Sequence, residues 1–393
     1  MPVAQGCSEE PDPQRWRDAL RQLLLKLGEQ IDSHRIRAIA IDGTSSTILL
    51  CDQHGEAITP ALMYNDSRAR KQAARIRELA PADSGAHGAS SSLAKLMFLL
   101  ETHPDAAIAH ACHQTDWLQA WLSGRYDIAD ENNCLKLGYD SQQQCWPEWL
   151  ESCGVAGALL PKVVAPGSVI GKILPERARE LGLSEHCLVV SGTTDSIAAL
   201  IATGANQVGD AVTSLGSTLV LKLISAKPVF SAAHGIYSHK LGEHWLVGGA
   251  SNSGGAVLRK YFSQQQLDTM TLRLQPEQAT GLHYYPLVTA GERFPHSDPD
   301  KIPVLEPRPD DDVIFFQAIL EGIASIEAEG YAKLQALGAS KAKRVYTTGG
   351  GSVNQAWRRI RATRLGLPIL KPQYSEASIG AALLAKQGWR TRD

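Results

Sequence analysis

The segment 191–218 constrains this chain more than any other part of its sequence. An apolar strand-like run leads into Ser191-Gly192-Thr193-Thr194-Asp195-Ser196, and a second predicted strand leads into Gly216-Ser217-Thr218. Small residues leave backbone N–H groups open to approach, and concave sets of such donors bind phosphate oxygens. A carboxylate beside such a turn can accept a proton from a hydroxyl group. The pattern therefore indicates transfer of a phosphoryl group to an alcohol.

Strand-like and helical segments alternate along the chain, which is typical of the α/β class. At 393 residues the chain is too long for one hydrophobic core, so we predict two domains, 1–203 and 204–393. The last predicted helix, 375–386, is expected to pack back on the first domain. Apolar spacing predicts helices over 14–31 and 313–337. The strands 37–41 and 47–51, joined by a Gly-Thr-Ser turn, are predicted to form a β-hairpin.

Composition argues against several classes of partner. The net charge is −2 and the sequence has no long basic run, so neither nucleic acid nor a membrane is an expected partner. Residues 1–14 are polar and contain proline, unlike a signal peptide, and we expect a cytoplasmic protein. The seven cysteines lack CxxC spacing and the twelve histidines lack ligand spacing, so no metal site built from Cys and His is predicted.

A second glycine-rich turn, Gly349-Gly350-Gly351, follows a predicted strand and precedes a predicted helix. Consecutive glycines cost backbone entropy, which favours a site where the backbone approaches a flat or anionic ligand. Asn354 and Trp357 fall on one face of the following helix, where Trp357 either belongs to the core or forms a wall of a purine pocket. The pattern is neither a Walker A loop nor a Rossmann fingerprint.

Asp195 admits two interpretations that are compatible with each other. Asp before an apolar helical run is favoured at a helix N-terminus, and a carboxylate there can also act as a general base toward a sugar hydroxyl. The turn Tyr64-Asn65-Asp66-Ser67-Arg68 is either a helix start with a solvated arginine or a set of donors and acceptors suited to a polyol. The segment 130–133 (Asp-Glu-Asn-Asn) is either a similar set of polyol contacts or a solvated loop.

Three segments together resemble the FGGY carbohydrate kinase family: 191–204 (SGTTDSIAALIATG), 209–218 (GDAVTSLGST) and 348–368 (TGGGSVNQAWRRIRATRLGLP). The resemblance implies the actin/hexokinase fold, in which two ribonuclease-H-like domains lie around a central cleft. It also implies a sugar-binding first domain and a nucleotide-binding second domain. Segments 42–46 and 64–68 look most like the D-ribulose kinase and xylulose-kinase-like branch.

The resemblance implies specific roles for residues of this sequence. It makes Asp195 the catalytic base, and it implies ATP as the phosphoryl donor with Mg²⁺ bridging the phosphates. The residues expected near the sugar are Ser46, Asn65, Asp66 and Ser196. The residues expected to bind ATP are Gly216, Ser217 and Thr218 at the phosphates, and Gly350, Gly351, Asn354 and Trp357 around the adenine.

One part of the family pattern has no counterpart in the printed sequence. Family members open with a hairpin that carries Asp-x-Gly-Thr, the first phosphate loop, whereas Asp42-Gly43-Thr44 follows the first predicted helix at the position of the sugar-proximal loop. We therefore expect the first domain to lack its first β-hairpin, with a start codon placed too late as the favoured reason. The predicted function is phosphorylation of a ketopentose, D-ribulose or D-xylulose. The alternatives are a nucleotide- or sugar-binding homologue with impaired catalysis, and a kinase of glycerol, a pentitol or a hexulose.

Overall fold

The computed structural model describes residues 11–391, which divide between two units. Unit 1 comprises Met1–Ala202 and Glu376–Asp393, and unit 2 comprises Thr203–Ser375. The predicted boundary after residue 203 lies one residue from this division. None of the helices in the described ranges is long and apolar enough to cross a membrane.

Unit 1 combines short strands with nine α-helices among its described residues. The strands are β1 (Ala38–Ile39), β2 (Asp42–Gly43), β3 (Ile48–Cys51), β4 (His110–His113), β5 (Ile128–Asp130), β6 (Lys162–Val164), β7 (Val169–Lys172), β8 (Leu188–Val190) and β9 (Thr193–Thr194). The helices are α1 (Gln14–Gln30), α2 (Arg70–Leu79), α3 (Ser92–Thr102), α4 (Gln114–Ser123), α5 (Glu131–Cys134), α6 (Trp149–Ser152), α7 (Pro175–Leu181), α8 (Asp195–Ala202) and, from the end of the chain, α13 (Ala377–Arg390).

The predicted hairpin of unit 1 is wrong, although its strands lie close to where the sequence places them. β1 pairs in parallel with β8, β2 pairs in parallel with β9, and β3 pairs antiparallel with β4. The Gly-Thr-Ser turn therefore carries the chain from one small sheet to another instead of back along the same ladder. All four residues of β3 are buried, so its apolar side chains are satisfied by the core and by a distant partner strand.

Helix α13 packs against α8, β1 and β8 of unit 1. The approach is close, because a Cβ added at Gly380 of α13 would lie 1.9 Å from the Ala198 carbonyl oxygen of α8. Glycine at position 380 therefore allows the two helices to touch backbone to backbone.

Unit 2 is built on one six-stranded sheet in the order β12-β13-β11-β10-β14-β15. Its strands are β10 (Asp210–Leu215), β11 (Leu219–Ser225), β12 (Ser238–Leu241), β13 (His244–Ser251), β14 (Arg344–Thr348) and β15 (Ile369–Leu370). Its helices are α9 (Gly255–Tyr261), α10 (Gln264–Thr271), α11 (Asp312–Ala336) and α12 (Gln355–Leu365). The alternation of strands and helices confirms the predicted α/β class.

Helix α11 packs an apolar face against the sheet of unit 2. It begins after Asp311, whose side chain accepts a hydrogen bond from the Val313 N–H at 2.8 Å, and it contacts β11 and β13. Phe315, Ile319 and Ile323 are among its buried side chains. The prediction of a helix over 313–337 is thus confirmed, and the cap explains why it starts where it does.

Gly192, in the segment that leads into Asp195, lies in close contact with the backbone of Ile41. A Cβ added at Gly192 would lie 1.8 Å from the Ile41 carbonyl oxygen, whereas a Cβ added at Gly171 of β7 would have open space. We expect Gly192→Ala to lower the free energy of unfolding by about 2 kcal/mol or more, because the backbone must move apart. Gly171→Ala is the matched control and should change it by less than about 0.5 kcal/mol. Urea unfolding of both variants measures the difference, and equal effects would contradict the prediction.

Candidate active site

Asp195 stands at the start of α8, directly after β9. Its carboxylate is half-buried, and Oδ1 accepts a hydrogen bond from the Ser196 N–H at 2.6 Å. The helix behind it is fixed by buried Ile197 and Ala198, so the carboxylate is carried by a packed element. Ser196 is exposed, and its hydroxyl lies 3.5 Å from that of Thr194. A carboxylate held in this way can accept a proton from a bound hydroxyl.

A second carboxylate, that of Asp42, lies near Asp195. The parallel register of β2 and β9 pairs Asp42 with Thr193 and Gly43 with Thr194, which brings both acids to the same end of the strands. Partial burial raises the pKa of Asp42, and the negative charge of Asp195 raises it further. The sequence motif contains Asp42, but its nearness to Asp195 depends on strand pairing that the sequence did not indicate.

Ser46 belongs to a tight turn after β2 and has a left-handed backbone, with φ of 64°. Its side-chain oxygen is buried and has no hydrogen-bond partner among residues 11–391, and the same holds for Ser45 Oγ. Thr44 anchors the turn, because its N–H and its hydroxyl both donate to Gln114 Oε1, at 2.9 and 3.0 Å. Buried hydroxyls without partners are costly unless a ligand or water pairs with them.

The two predicted sugar contacts in the turn after residue 62, Asn65 and Asp66, differ in their exposure and in their partners. Asn65 is exposed, whereas the Asp66 carboxylate binds the Arg68 guanidinium at 2.9 Å and caps the Arg68 N–H. Lys95 on α3, which the sequence argument missed, donates from Nζ to the carbonyl oxygens of Ser46 and Met63. A lysine inside an apolar helix is the signal that could have identified it.

The segment 130–133 lies close to the strand that precedes Asp195. Asp130 accepts hydrogen bonds from two backbone N–H groups of α5 and from the Thr193 hydroxyl. Burial, followed by the charge of Asp116, raises the pKa of Asp130 to about 6. Asn132 donates to the same Thr193 hydroxyl at 3.1 Å, and the amide oxygens of Asn132 and Asn133 are buried without a partner in the described structure. The segment is therefore buried, unlike the solvated loop that was one of its two interpretations.

The first glycine turn of unit 2, residues 216–218, connects β10 to β11. Its carbonyl oxygens of Gly216 and Ser217 accept hydrogen bonds from the N–H groups of Gly255 and Ala256 at the start of α9. Arg259, one turn further along α9, donates to Ser217 Oγ at 2.7 Å. A guanidinium at such a turn suits phosphate, and the sequence argument missed it because an arginine in a short helix carries no distinct signal.

The second glycine turn, residues 349–351, lies against the end of β10. The parallel register pairs Ser214 with Thr348, and a Cβ added at Gly349 would lie 2.7 Å from the Leu215 carbonyl oxygen. The structure therefore brings the two predicted phosphate and adenine turns side by side at one edge of the sheet. Gly350 is exposed and has open space around it, whereas a Cβ at Gly351 would lie 2.4 Å from the Trp357 ring.

Trp357 and Asn354 have clear structural contacts. Trp357 is 3% exposed and donates from Nε1 to the Leu320 carbonyl, which supports its interpretation as a core residue. Asn354 caps α12 by accepting from the Trp357 N–H at 2.9 Å, and it donates to Thr271 Oγ1 at 3.2 Å. Leu272, which follows Thr271, and Val353, which precedes Asn354, are 88% and 78% exposed.

A cavity of about 510 Å³ opens elsewhere on unit 2, lined in part by His234, Asn252 and Arg293. None of the predicted site residues lines it. Within the described part of the chain, no three His, Cys, Asp or Glu side chains converge as a metal-binding group.

Comparison with known proteins matches the chain to two family models. The N-terminal domain of the FGGY family of carbohydrate kinases matches residues 4–202, and the C-terminal domain matches residues 211–389. A xylulose kinase from Streptomyces rubiginosus is 34% identical over 55% of this chain and 46% of its own length. The Escherichia coli K12 xylulose kinase is 24% identical over 96% of this chain and 81% of its own length.

Solved structures agree with the family models. A crystal structure of a xyloylose kinase from Brucella ovis superposes with a TM-score of 0.87, covers 100% of this chain and 85% of its own, and shares 24% identity. Gluconokinases and a glycerol kinase structure with ADP are also among the similar proteins. Fold and motifs together define a two-domain carbohydrate kinase of the actin/hexokinase type. The chain belongs to the FGGY family of carbohydrate kinases.

Proposed function

We propose that this chain transfers the γ-phosphoryl group of ATP to a ketopentose, with D-ribulose or D-xylulose as the acceptor. The observation that carries the proposal is the pair of glycine turns, 216–218 and 349–351, held side by side at the carboxyl ends of β10 and β14. The xylulose kinase relatives and the motifs at 42–46 and 64–68 support a ketopentose.

In the proposed reaction, unit 1 binds the sugar and unit 2 binds the nucleotide. Asp195 accepts the proton of the attacking hydroxyl as its oxygen forms a bond to the γ-phosphorus, and the bond to the β,γ-bridging oxygen breaks to release ADP. Ser46, Asn65, Asp66 and Ser196 are the proposed sugar contacts. Backbone N–H groups of Ser217 and Thr218, with Arg259, stabilise negative charge on the phosphates, and the Gly216 N–H closes the turn by donating to the Thr218 carbonyl. Mg²⁺, if bound with the triphosphate, would supply further neutralisation of that charge.

The proposed adenine site lies along 350–357. Gly350 and Gly351 let the base approach the backbone, and the exposed side chains of Leu272 and Val353 are the proposed apolar contacts. The Asn354 side chain anchors the turn by donating a hydrogen bond to Thr271 Oγ1, and the Trp357 ring packs against Gly351.

A substrate panel tests the proposal directly. ADP release is followed with ATP, Mg²⁺ and, in turn, D-ribulose, D-xylulose, glycerol, gluconate and a pentitol. We expect a ketopentose to give the highest kcat/KM. A higher value for glycerol or gluconate would favour the acceptors named for the glycerol kinase and gluconokinases. Calorimetric binding of ATP and sugar without ADP release would favour a homologue with impaired catalysis.

The Asp42 carboxylate gives a pH prediction. Burial and the negative charge of Asp195 raise the pKa of Asp42, so removal of that charge should lower it. We expect Asp195→Asn to lower the pKa of the Asp42 carboxyl, which side-chain ¹³C NMR titration measures. Asp52→Asn, at an exposed turn of the same unit, is the control and should leave the pKa of Asp42 in place. An Asp42 pKa that is unchanged or higher in Asp195→Asn would contradict this prediction.

A further inference from the structure

We infer that Lys95 is a positioning residue that ties together two turns, 44–47 and 63–66, and thereby sets the affinity of unit 1 for its sugar. The inference rests on the proposed function, since those turns carry Ser46, Asn65 and Asp66. Each turn is closed by its own backbone hydrogen bond, from Thr47 N to Thr44 O and from Asp66 N to Met63 O.

The contacts of Lys95 join these turns through one atom. Its Nζ donates to the Ser46 carbonyl at 2.5 Å and to the Met63 carbonyl at 2.8 Å. Met63 O thus receives both the lysine and the hydrogen bond that closes its own turn. Two segments that are separated by the buried strand β3 are therefore fixed relative to each other by a single ammonium group.

The lysine itself is held by a rigid element. It lies in the first turns of α3, where the Ser91 side chain caps the helix by accepting from the Ala94 N–H. Its neighbours Leu93, Leu96 and Leu99 are buried in one apolar core. A group on a packed helix positions other residues more accurately than a group on a loop does.

The ammonium group of Lys95 is buried, and its burial carries an electrostatic cost. Lys95 is 0% exposed, and burial lowers its pKa to about 7, while the Asp66 carboxylate opposes that shift. A buried lysine is costly unless its N–H groups are paired, and here carbonyl oxygens of both turns pair with them.

The consequence for a ligand follows from Ser46. Ser46 has a left-handed backbone, and its buried hydroxyl lacks a protein partner within the described structure. Its carbonyl oxygen accepts the hydrogen bond from Lys95. A hydrogen bond between a sugar hydroxyl and Ser46 Oγ adds to the binding affinity only while the turn keeps Ser46 in this position. Loss of the lysine contact releases the turn, so the affinity for sugar falls while the nucleotide site of unit 2 is unaffected.

The test compares Lys95→Met with Gln72→Leu. Methionine fills the space of lysine without its N–H groups, and Gln72 is a matched buried polar residue that bonds Glu101 at 2.7 Å, away from both turns. We expect Lys95→Met to raise the KM for ketopentose at least tenfold with the KM for ATP unchanged. Amide hydrogen exchange at 44–47 and 63–66 should quicken in this variant. Gln72→Leu should show neither effect, and Lys95→Gln, which keeps N–H donors, should fall between.

The outcomes separate this inference from the proposed function. If the unaltered protein phosphorylates no sugar on the panel, the proposed function fails, and hydrogen exchange still tests whether Lys95 holds the turns. Unchanged exchange at both turns in Lys95→Met, or an unchanged KM for a sugar that the unaltered protein uses, would overturn the inference. Failure of both Lys95 variants to fold would also overturn it, because the lysine would then support the whole unit and not the turns.

Discussion

Asp195→Asn is expected to lower kcat for sugar phosphorylation by about 10²–10⁴-fold, because asparagine cannot accept the hydroxyl proton. The substitution is nearly isosteric, and the oxygen that accepts from the Ser196 N–H is retained, so α8 should still begin at the same residue. We expect the Kd for ATP to change by less than about twofold, since the two glycine turns belong to unit 2. Steady-state kinetics and calorimetry measure these two quantities on one preparation.

Asp127→Asn is the control for this experiment. Asp127 lies in the same unit, and its exposed carboxylate pairs with Arg125 at the surface. This variant should keep full activity. If Asp195→Asn lost ATP affinity as strongly as turnover, or kept its turnover, Asp195 would be a structural helix-start residue and not the base.

Arg361→Met is expected to destabilise unit 2 by about 3–5 kcal/mol, because it leaves the buried carboxylate of Glu327 without its partner. Arg361 is 1% and Glu327 0% exposed, and two N–H groups of the guanidinium bind the carboxylate at 2.6 and 2.7 Å. Arg361 also donates to Thr347 Oγ1, and Glu327 accepts from Thr213 Oγ1. The network therefore joins α11, α12, β10 and β14 beneath both glycine turns.

The double variant Arg361→Met with Glu327→Met separates the pair from its burial cost. Because replacing both charges by apolar groups removes the penalty of an unpaired ion, most of the lost stability should return. Arg125→Met, which breaks an exposed pair, should cost less than about 1 kcal/mol. Hydrogen exchange of amides in β10 and β14 measures the opening of unit 2 by itself. A single variant no less stable than the double one would contradict the expectation.

The sequence predicted elements more reliably than their partners. The helices at 14–31 and 313–337 and the turns at 216–218 and 349–351 follow from local residue patterns, and the structure contains all of them. Pairing of β1 with β8 and of β2 with β9 joins residues about 150 positions apart, which no local pattern specifies. The predicted hairpin failed for that reason.

The same limit applies to the candidate site. Asp195 and the glycines are recognisable by motif, and their roles stay predictions until the variants are made. Asp42, Lys95 and Arg259 contact or approach residues far along the chain, and the sequence alone did not predict these neighbours. Trp357 shows the opposite case, since its indole is held in the core by Leu320 although its position suggested a ligand wall.

The contact between α13 and α8 has a consequence for biosynthesis. The helix that bears Asp195 packs against α13, and all of unit 2 is translated between these two helices. Domains generally fold as they emerge, from the N-terminus onward. We therefore expect unit 2 to fold on the nascent polypeptide before α8, which carries the proposed base, can pack against α13.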